Sequence, residues 1–233
     1  SQLHPRDSII TFNWDTLVER AIVAEGNDES KRMLKRMASS NTELPSDQLF
    51  NEDAWTKQHH FGRLVKIHGS ISYTVCTNSA CPQHNSPYMW EFGVQFPEFW
   101  ACRNCGSPMT VLLLPPHGAK SYSQTQYFRL QSAIATSKLG MAEKIVLIGY
   151  SVPAFDIEAR SMLRCARLDG DDETAWLKEV VIVNPQVKDD DFLEQMRDLL
   201  GVDNPNAYGQ AVELTAFESV SAYEAAAQDS SND

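Results

Sequence analysis

The sequence is short of basic residues. Its 20 lysines and arginines are outnumbered by 31 aspartates and glutamates, which gives a formal net charge of −11. Proteins that bind nucleic acid without sequence preference need a basic face, so the composition argues against a direct nucleic-acid partner. A small anionic ligand is compatible with this charge, because backbone N–H groups can hold it.

The sequence also lacks long apolar runs. No stretch reaches the length of a membrane-spanning helix, and there is no signal peptide. The cysteine count is five, and an odd number in this arrangement does not suit a disulfide framework. We therefore expect a cytoplasmic protein with no membrane partner. A length of 233 residues with 42% hydrophobic residues suits one large domain, or one domain with an insert.

Four of the five cysteines form two close pairs. Cys76 and Cys81 are followed, after twenty residues, by Cys102 and Cys105. Two pairs on tight turns suit a tetrahedral structural zinc site with no position left for water. The alternatives are a set of buried apolar thiols, and replacement of one cysteine ligand by His84.

Short apolar runs alternate with helical periodicity along the rest of the chain. This pattern predicts a doubly wound parallel sheet of the α/β class with an inserted zinc module. The predicted strands are Ser8–Phe12, Leu64–Ile67, Lys144–Ile148, Val180–Val183 and an edge strand at Ala211–Leu214; the predicted helices are Thr16–Ile22, 122–139, Phe155–Leu168 and Phe192–Leu200.

The domain boundaries follow from this pattern. We predict a Rossmann-like domain from residues 1–70 and 114–217, a zinc-binding module at 71–113, and an acidic, disordered tail at 218–233. The tail prediction rests on its small, polar and acidic composition.

Polar or small residues follow each predicted strand. They are Asn13 and Asp15, His68, Gly149 and Ser151, and Asn184. Ligands of parallel α/β sheets bind at the carboxyl ends of the strands, so we expect these residues to converge on one crevice. Each has a structural alternative: a helix cap with a first-turn acid for Asn13 and Asp15, a strand-end histidine satisfied by backbone for His68, and a tight turn with an N-cap for Gly149 and Ser151.

Several motifs in this order resemble those of sirtuins. They are T-F-N-W-D at Thr11–Asp15, H-G-S at His68–Ser70, the four cysteines, G-Y-S-V-P at Gly149–Pro153 and V-N-P at Val183–Pro185. The chain most resembles the bacterial sirtuin-like domains, many of which work in phage defence. The resemblance covers about Ser8 to Leu214 and implies a domain that uses NAD as cosubstrate and carries structural zinc.

The resemblance also implies residue roles. Asn13 would position the nicotinamide ribose or the attacking water, Asp15 would support the nicotinamide pocket, and His68 would be the general base. Thr11 and Phe12 would belong to the cofactor-binding turn. Gly149 and Ser151 would approach the phosphates and the adenine ribose, and Asn184 would contact the adenosine ribose.

Three features depart from the sirtuin pattern. The chain has no glycine-rich phosphate loop, which either lies upstream of Ser1 or is absent. Phe12 stands where the family carries glutamine. After the second cysteine pair, the run from Leu112 to His117 replaces the substrate-clamping F-G-E-like motif, which favours hydrolysis of NAD itself.

Three functions are compatible with these residues. The first is NAD hydrolysis to nicotinamide and ADP-ribose. The second is NAD-dependent deacylation of an acyl-lysine peptide. The third, of another class, is a catalytically silent NAD or ADP-ribose binding module. A homo-oligomer, or a fused or partner defence domain, is compatible with each of them.

Overall fold

The protein is an α/β structure. The computed structural model describes residues 7–25, 64–84, 87–89, 101–114, 126–151, 153, 156–165, 177–203 and 212–229. The chain divides into two compact units, one formed by Ser1–Pro115 with Ser121–Ser132 and the other by Pro116–Lys120 with Ala133–Asp233. The α/β class and the parallel pairing of strands are confirmed. The described strands form two parallel sheets and one antiparallel sheet.

The first unit opens with a strand–helix pair. Strand β1, Ile9–Thr11, pairs in parallel with β2, Leu64–Lys66, in a register that sets Thr11 beside Lys66. Helix α1, Leu17–Glu25, follows β1 after a polar turn. Both strands are apolar up to their last residue, as expected of a parallel pair that is covered on its faces.

An antiparallel sheet follows directly in the first unit. Strand β3, Gly69–Cys76, lies between β4, Tyr88–Met89, and β5, Met109–Leu113. Strand β2 matches the predicted strand Leu64–Ile67 to within one residue. Only two residues separate β2 from β3, so a tight turn at His68 joins the two strands. Gly69 makes this turn with a φ of 77°.

Helix α2, Gln126–Gly140, covers most of the predicted helix 122–139. Its beginning contributes two buried aromatic residues to the first unit. The Tyr127 ring makes an edge contact with the Tyr73 ring of β3, with centroids 5.8 Å apart. Residues 122–125 of the predicted helix, and 115–117 of the run that departs from the sirtuin motif, lie outside the described residues.

The second unit is built on a parallel sheet. Strand β6, Lys144–Ile148, pairs with β7, Glu179–Val183, which in turn pairs with β8, Glu213–Phe217. Residues Val180 to Val183 are all at most 3% exposed, which explains their unbroken apolar sequence. The edge strand β8 lies further along the chain than the predicted Ala211–Leu214, because its pairing with β7 continues to Phe217.

Helices α3, Ile157–Cys165, and α4, Asp190–Leu200, belong to the second unit. A one-turn 3-10 helix, Pro185–Lys188, precedes α4. The Asp189 side chain caps α4 by accepting a hydrogen bond from the N–H of Asp191, and Gly201 ends it in the left-handed conformation. The buried residues of α4 recur at helical spacing: Phe192, Met196, Leu199 and Leu200. This is the pattern of a helix with one apolar face.

The predicted disordered tail differs from the structure. Residues Val220–Asp229 form helix α5. The segment is rich in alanine, the strongest helix former, and the Ser219 hydroxyl accepts a hydrogen bond from the N–H of Ala222 at its start. The Tyr223 ring packs edge-on against Phe217 with centroids 5.5 Å apart. Composition alone missed these two local effects.

Among the described residues, no helix combines the length and the hydrophobicity that a bilayer crossing requires.

We predict that Gly69→Ala destabilises the first unit strongly. A Cβ at Gly69 would lie 2.1 Å from the backbone oxygen of Leu112, in addition to the strain of a positive φ. We expect a loss of at least about 3 kcal/mol in the free energy of unfolding, measured by urea denaturation.

Gly149→Ala is the matched control. Gly149 has a similar φ of 67°, but no described atom lies within 4 Å of the position that its Cβ would take. We expect a loss of only about 1 kcal/mol from backbone strain. Equal losses at the two positions would contradict the proposed clash.

Candidate functional site

The first set of predicted site residues lies at the carboxyl ends of β1 and β2. Because the two strands are parallel, their carboxyl ends lie at the same edge of the sheet. The Ile67 N–H still donates to the Thr11 carbonyl at 3.2 Å. The turn Phe12–Thr16 and the tight turn at His68 therefore begin side by side.

His68 is held against the turn that precedes α1. Its Nδ1 lies 3.1 Å from the carbonyl oxygen of Phe12, and the two rings make an edge contact with centroids 5.6 Å apart. His68 is only 4% exposed. Since a carbonyl oxygen can only accept, Nδ1 carries the proton in this bond, and in the neutral ring the lone pair is then on Nε2.

The turn itself is ordered by its own side chains. The N–H of the exposed Asn13 donates to the hydroxyl of Thr11 at 3.1 Å. An Asp15 carboxylate oxygen accepts from the N–H of Leu17, the first residue of α1, at 2.9 Å. The helix-capping alternative thus holds for Asp15, whose pocket role stays a prediction, and Asn13 stands outside the helix.

Two residues that the sequence analysis did not single out lie beneath this turn. The Lys66 ammonium is 2.7 Å from a Glu19 carboxylate oxygen, with the two side chains 1% and 0% exposed. The sequence contains one signal that could have revealed this ion pair, namely a lysine inside the apolar run Leu64–Ile67. A charged residue between buried neighbours demands a buried partner.

The second set of predicted site residues lies at the carboxyl ends of β6 and β7. The Gly149 N–H donates to the Val183 carbonyl at 2.9 Å. The Asn184 amide donates to the carbonyl of Tyr150 at 3.2 Å, and its oxygen accepts from the N–H of Gln186 at 2.9 Å. Asn184 is 4% exposed, so its side chain joins two strand ends, whereas Ser151 is exposed.

Asp156, at the start of α3, is a buried residue near this set that the sequence analysis missed. It is 3% exposed. Burial, reinforced by the Asp156 charge, raises the pKa of the Tyr150 phenol above its usual range. The phenol is therefore neutral at physiological pH.

The structure brings Thr11, Phe12, Asn13 and Asp15 to His68 within the first unit. Within the second unit it brings Gly149 and Tyr150 to Asn184. The roles that the resemblance implies for these residues toward a ligand stay predictions.

The four predicted metal ligands form one cluster. The sulfur atoms of Cys76, Cys81, Cys102 and Cys105 all lie within 4.8 Å of one another. Cys76 and Cys105 sulfurs are 3.5 Å apart, and Cys81 and Cys102 sulfurs are 3.8 Å apart. These separations are too long for disulfide bonds. Zinc–sulfur bonds of about 2.3 Å in tetrahedral geometry place sulfurs about 3.8 Å apart, so the cluster fits a zinc ion.

Tight turns present these sulfurs. After the first pair, the His84 ring donates from Nδ1 to the Cys76 carbonyl at 2.8 Å. The group of side chains that could hold one metal ion consists of the four cysteines and does not include His84. At the second pair, the Gly106 N–H donates to the Cys102 carbonyl at 2.8 Å, with a Gly106 φ of 71°. Each loop thus fixes its sulfurs through backbone hydrogen bonds.

The thiols differ in acidity. Burial, together with hydrogen bonds from neighbouring thiols, raises the pKa of Cys76 to about 12. Hydrogen bonds from the side chain and backbone of Ser107 lower the pKa of Cys105 to about 6. A zinc ion bound here would be held by thiolates, so binding releases the protons of the buried thiols and supplies a structural cross-link.

Comparison with known proteins gives similarity at the level of structure only. No protein-family model and no curated protein matches the chain. A mutant Sir2 homologue in complex with ADP-ribose matches with a TM-score of 0.36 and 18% identity, over 65% of this chain and 56% of that chain. A Sir2 homologue in complex with NAD matches with a TM-score of 0.35 and 16% identity, over 70% and 48%.

A third solved structure, described as the structural basis for sirtuin substrate affinity, matches with a TM-score of 0.33 and 15% identity over 86% of this chain and 93% of that chain. By contrast, the chain spans only about half the length of the two Sir2 homologues described above.

We predict that Cys102→Ser abolishes zinc binding. Cys102 is 3% exposed, and a serine oxygen is a poor substitute for a thiolate ligand of zinc. We expect loss of the bound zinc in elemental analysis, and a loss of at least about 3 kcal/mol in the free energy of unfolding.

Cys165→Ser is the control, because the fifth cysteine is not one of the four ligands. It should keep a single zinc ion per chain. A Cys102→Ser protein that retains stoichiometric zinc would refute the four-cysteine site.

Proposed function

We propose that the chain is a sirtuin-like domain that binds NAD and hydrolyses it to nicotinamide and ADP-ribose. The observation that carries this proposal is the attachment of His68 to the T-F-N-W-D turn, through the 3.1 Å contact between its Nδ1 and the Phe12 carbonyl. It sets a histidine and Asn13 together at the carboxyl ends of adjacent parallel strands, where α/β sheets bind ligands.

The chemistry suits these groups. As the bond between nicotinamide and ribose breaks, nicotinamide leaves with the bonding electron pair as a neutral molecule, and an oxocarbenium-like ribose centre develops. The leaving group therefore needs no acid. Water then forms the new bond to this carbon and gives up a proton, which Nε2 of His68 accepts.

Asn13 is assigned to positioning. Its side chain is exposed, and its backbone is tied to Thr11, so the amide is presented from a fixed turn. It orients the nicotinamide ribose or the attacking water, while Asp15 supports the nicotinamide pocket. In the second unit, Gly149 and Ser151 are assigned to the phosphates and adenine ribose, and Asn184 to the adenosine ribose.

Hydrolysis is favoured over deacylation by the sequence after the second cysteine pair. Leu112 and Leu114 are 5% and 3% exposed, and the Leu114 N–H donates to the carbonyl of His68 at 2.9 Å. The buried segment from Leu112 to Leu114 therefore packs beneath the turn at His68. It does not carry the motif with which deacylases hold a peptide. The resemblance to bacterial sirtuin-like domains supports a role in defence against phage.

We predict that His68→Ala and Asn13→Ala each lower nicotinamide release from NAD by at least about 10²-fold. His68→Gln distinguishes a general base from a purely structural histidine, because the glutamine amide can still donate to the Phe12 carbonyl but is not a base. It should be as inactive as His68→Ala. Release is followed by chromatography, with zinc content and melting temperature as controls for folding.

His4→Ala, which changes a histidine outside every motif, should leave release unchanged. Wild-type rates in His68→Gln would show that the histidine is structural and would overturn its assignment as the base.

We also predict that nicotinamide release needs no peptide. NAD is incubated with the protein in the presence and absence of an acetyl-lysine peptide, and nicotinamide and free ADP-ribose are measured. Equal release in both arms is expected of a hydrolase. Release that depends on the peptide would support the deacylase instead, and NAD binding without release in either arm would support the catalytically silent module.

A further inference from the structure

A contribution to folding stability does not account for the buried ion pair between Lys66 and Glu19. Both side chains are almost wholly buried, and their charged atoms are 2.7 Å apart. Removing two charges from water is costly, and apolar pairs of similar volume often replace such bridges without loss of stability. A second Glu19 oxygen, Oε2, is buried without a hydrogen-bond partner among the described residues. The pair is therefore better explained by what the ammonium holds in place.

The Lys66 ammonium makes one contact that an apolar side chain cannot make. Besides Glu19, it donates a hydrogen bond to the backbone carbonyl of Asp15. The Asp15 carboxylate accepts from the N–H of Leu17 and so caps the start of α1. Glu19 lies in the first turn of the same helix. Lys66 thus holds both the entry and the first turn of α1.

The position of Lys66 in the chain links this contact to the candidate site. It is the last residue of β2, two residues before His68. The carbonyl that it holds follows Asn13 by two residues. A single ammonium therefore connects the strand that presents the histidine to the turn that presents the asparagine.

Neighbouring groups keep the surroundings of the pair dry. Val65 and Ile67, on either side of Lys66, are 1% and 0% exposed. Burial, followed by the charge of Glu19, raises the pKa of the Tyr73 phenol above its usual range. Water is thus excluded, and in such surroundings the hydrogen bonds of an ammonium are stronger than at a surface.

We propose that Lys66 is a positioning residue. With Glu19 as its counter-ion, it holds the Asp15 carbonyl and thereby fixes Asn13 relative to the imidazole of His68. This inference rests on the proposed function for its catalytic consequence, but not for its structural one.

The test is the double variant Glu19→Leu with Lys66→Met, which replaces the ion pair with apolar side chains of similar size. We expect the melting temperature to remain within about 4 °C of wild type, with zinc retained. We expect kcat for nicotinamide release to fall roughly 10²-fold, because misplaced catalytic groups lose rate. The ratio kcat/KM should fall equally, since the lost effect acts on the transition state.

A second measurement does not depend on activity. Amide hydrogen exchange at Asn13–Leu17 should speed up at least about tenfold in the double variant, and the ring ¹⁵N resonances of His68 should shift. Exchange in β6, in the second unit, should not change. If the wild-type protein releases no nicotinamide, the proposed function fails, while these changes would still support the positioning role.

The matched control replaces the exposed pair Lys178 and Glu143, whose contact distance is 2.9 Å and whose side chains are 64% and 60% exposed, with Met and Leu. It should alter neither activity nor exchange at Asn13–Leu17. A folded Glu19→Leu, Lys66→Met protein with wild-type exchange at the turn and unshifted His68 resonances would overturn the proposal, whatever its activity.

Discussion

The first unit depends on the hydrogen bonds that join the partly buried turn after β1 to the end of β2 and the residues that follow it. The carbonyls of Thr11, Phe12, Trp14 and Asp15 accept from Ile67, His68, Ile71 and Lys66, respectively. Beyond the last strand pair, the side chains of His68 and Lys66 and the backbone N–H of Ile71 donate to the carbonyls of the turn. Backbone carbonyls that leave a sheet into a partly buried turn need such donors, and this requirement fixes where His68 must lie.

In the second unit, a side-chain amide donates to a backbone carbonyl at a strand end. Asn184 donates to the carbonyl of Tyr150 across the ends of β7 and β6, and caps the following 3-10 helix with its oxygen. In each unit, therefore, a polar residue at the end of one parallel strand holds the chain that leaves its neighbour. A structural role of this kind does not argue against the ligand role that the resemblance predicts for the same residues.

The cysteine cluster stabilises a different kind of segment. Cys76, Cys81 and Cys102 are buried together, and among the described residues Met109 packs against them. A zinc cross-link would stabilise the loops that carry these sulfurs and the antiparallel sheet to which they are joined. The connection from this sheet back to the histidine turn is direct, because Gly69 pairs with Leu113. Zinc would therefore brace the turn without taking part in chemistry.

The elements whose cause is local could be predicted from the sequence. Unbroken apolar runs predicted the strand Lys144–Ile148 and the core of β7, and cysteine spacing predicted the metal cluster, because periodicity and ligand spacing are properties of neighbouring residues. The order of the motifs also predicts one site for His68 and Asn13, and this stays a prediction. Other contacts are visible in the folded protein alone. The backbone of Phe12 holds the histidine, Lys66 and Glu19 pair across 47 residues of sequence, and His84 bonds to the backbone of the cysteine cluster instead of joining it. These contacts depend on which buried groups meet in space, and no local pattern specifies the partner of a buried charge.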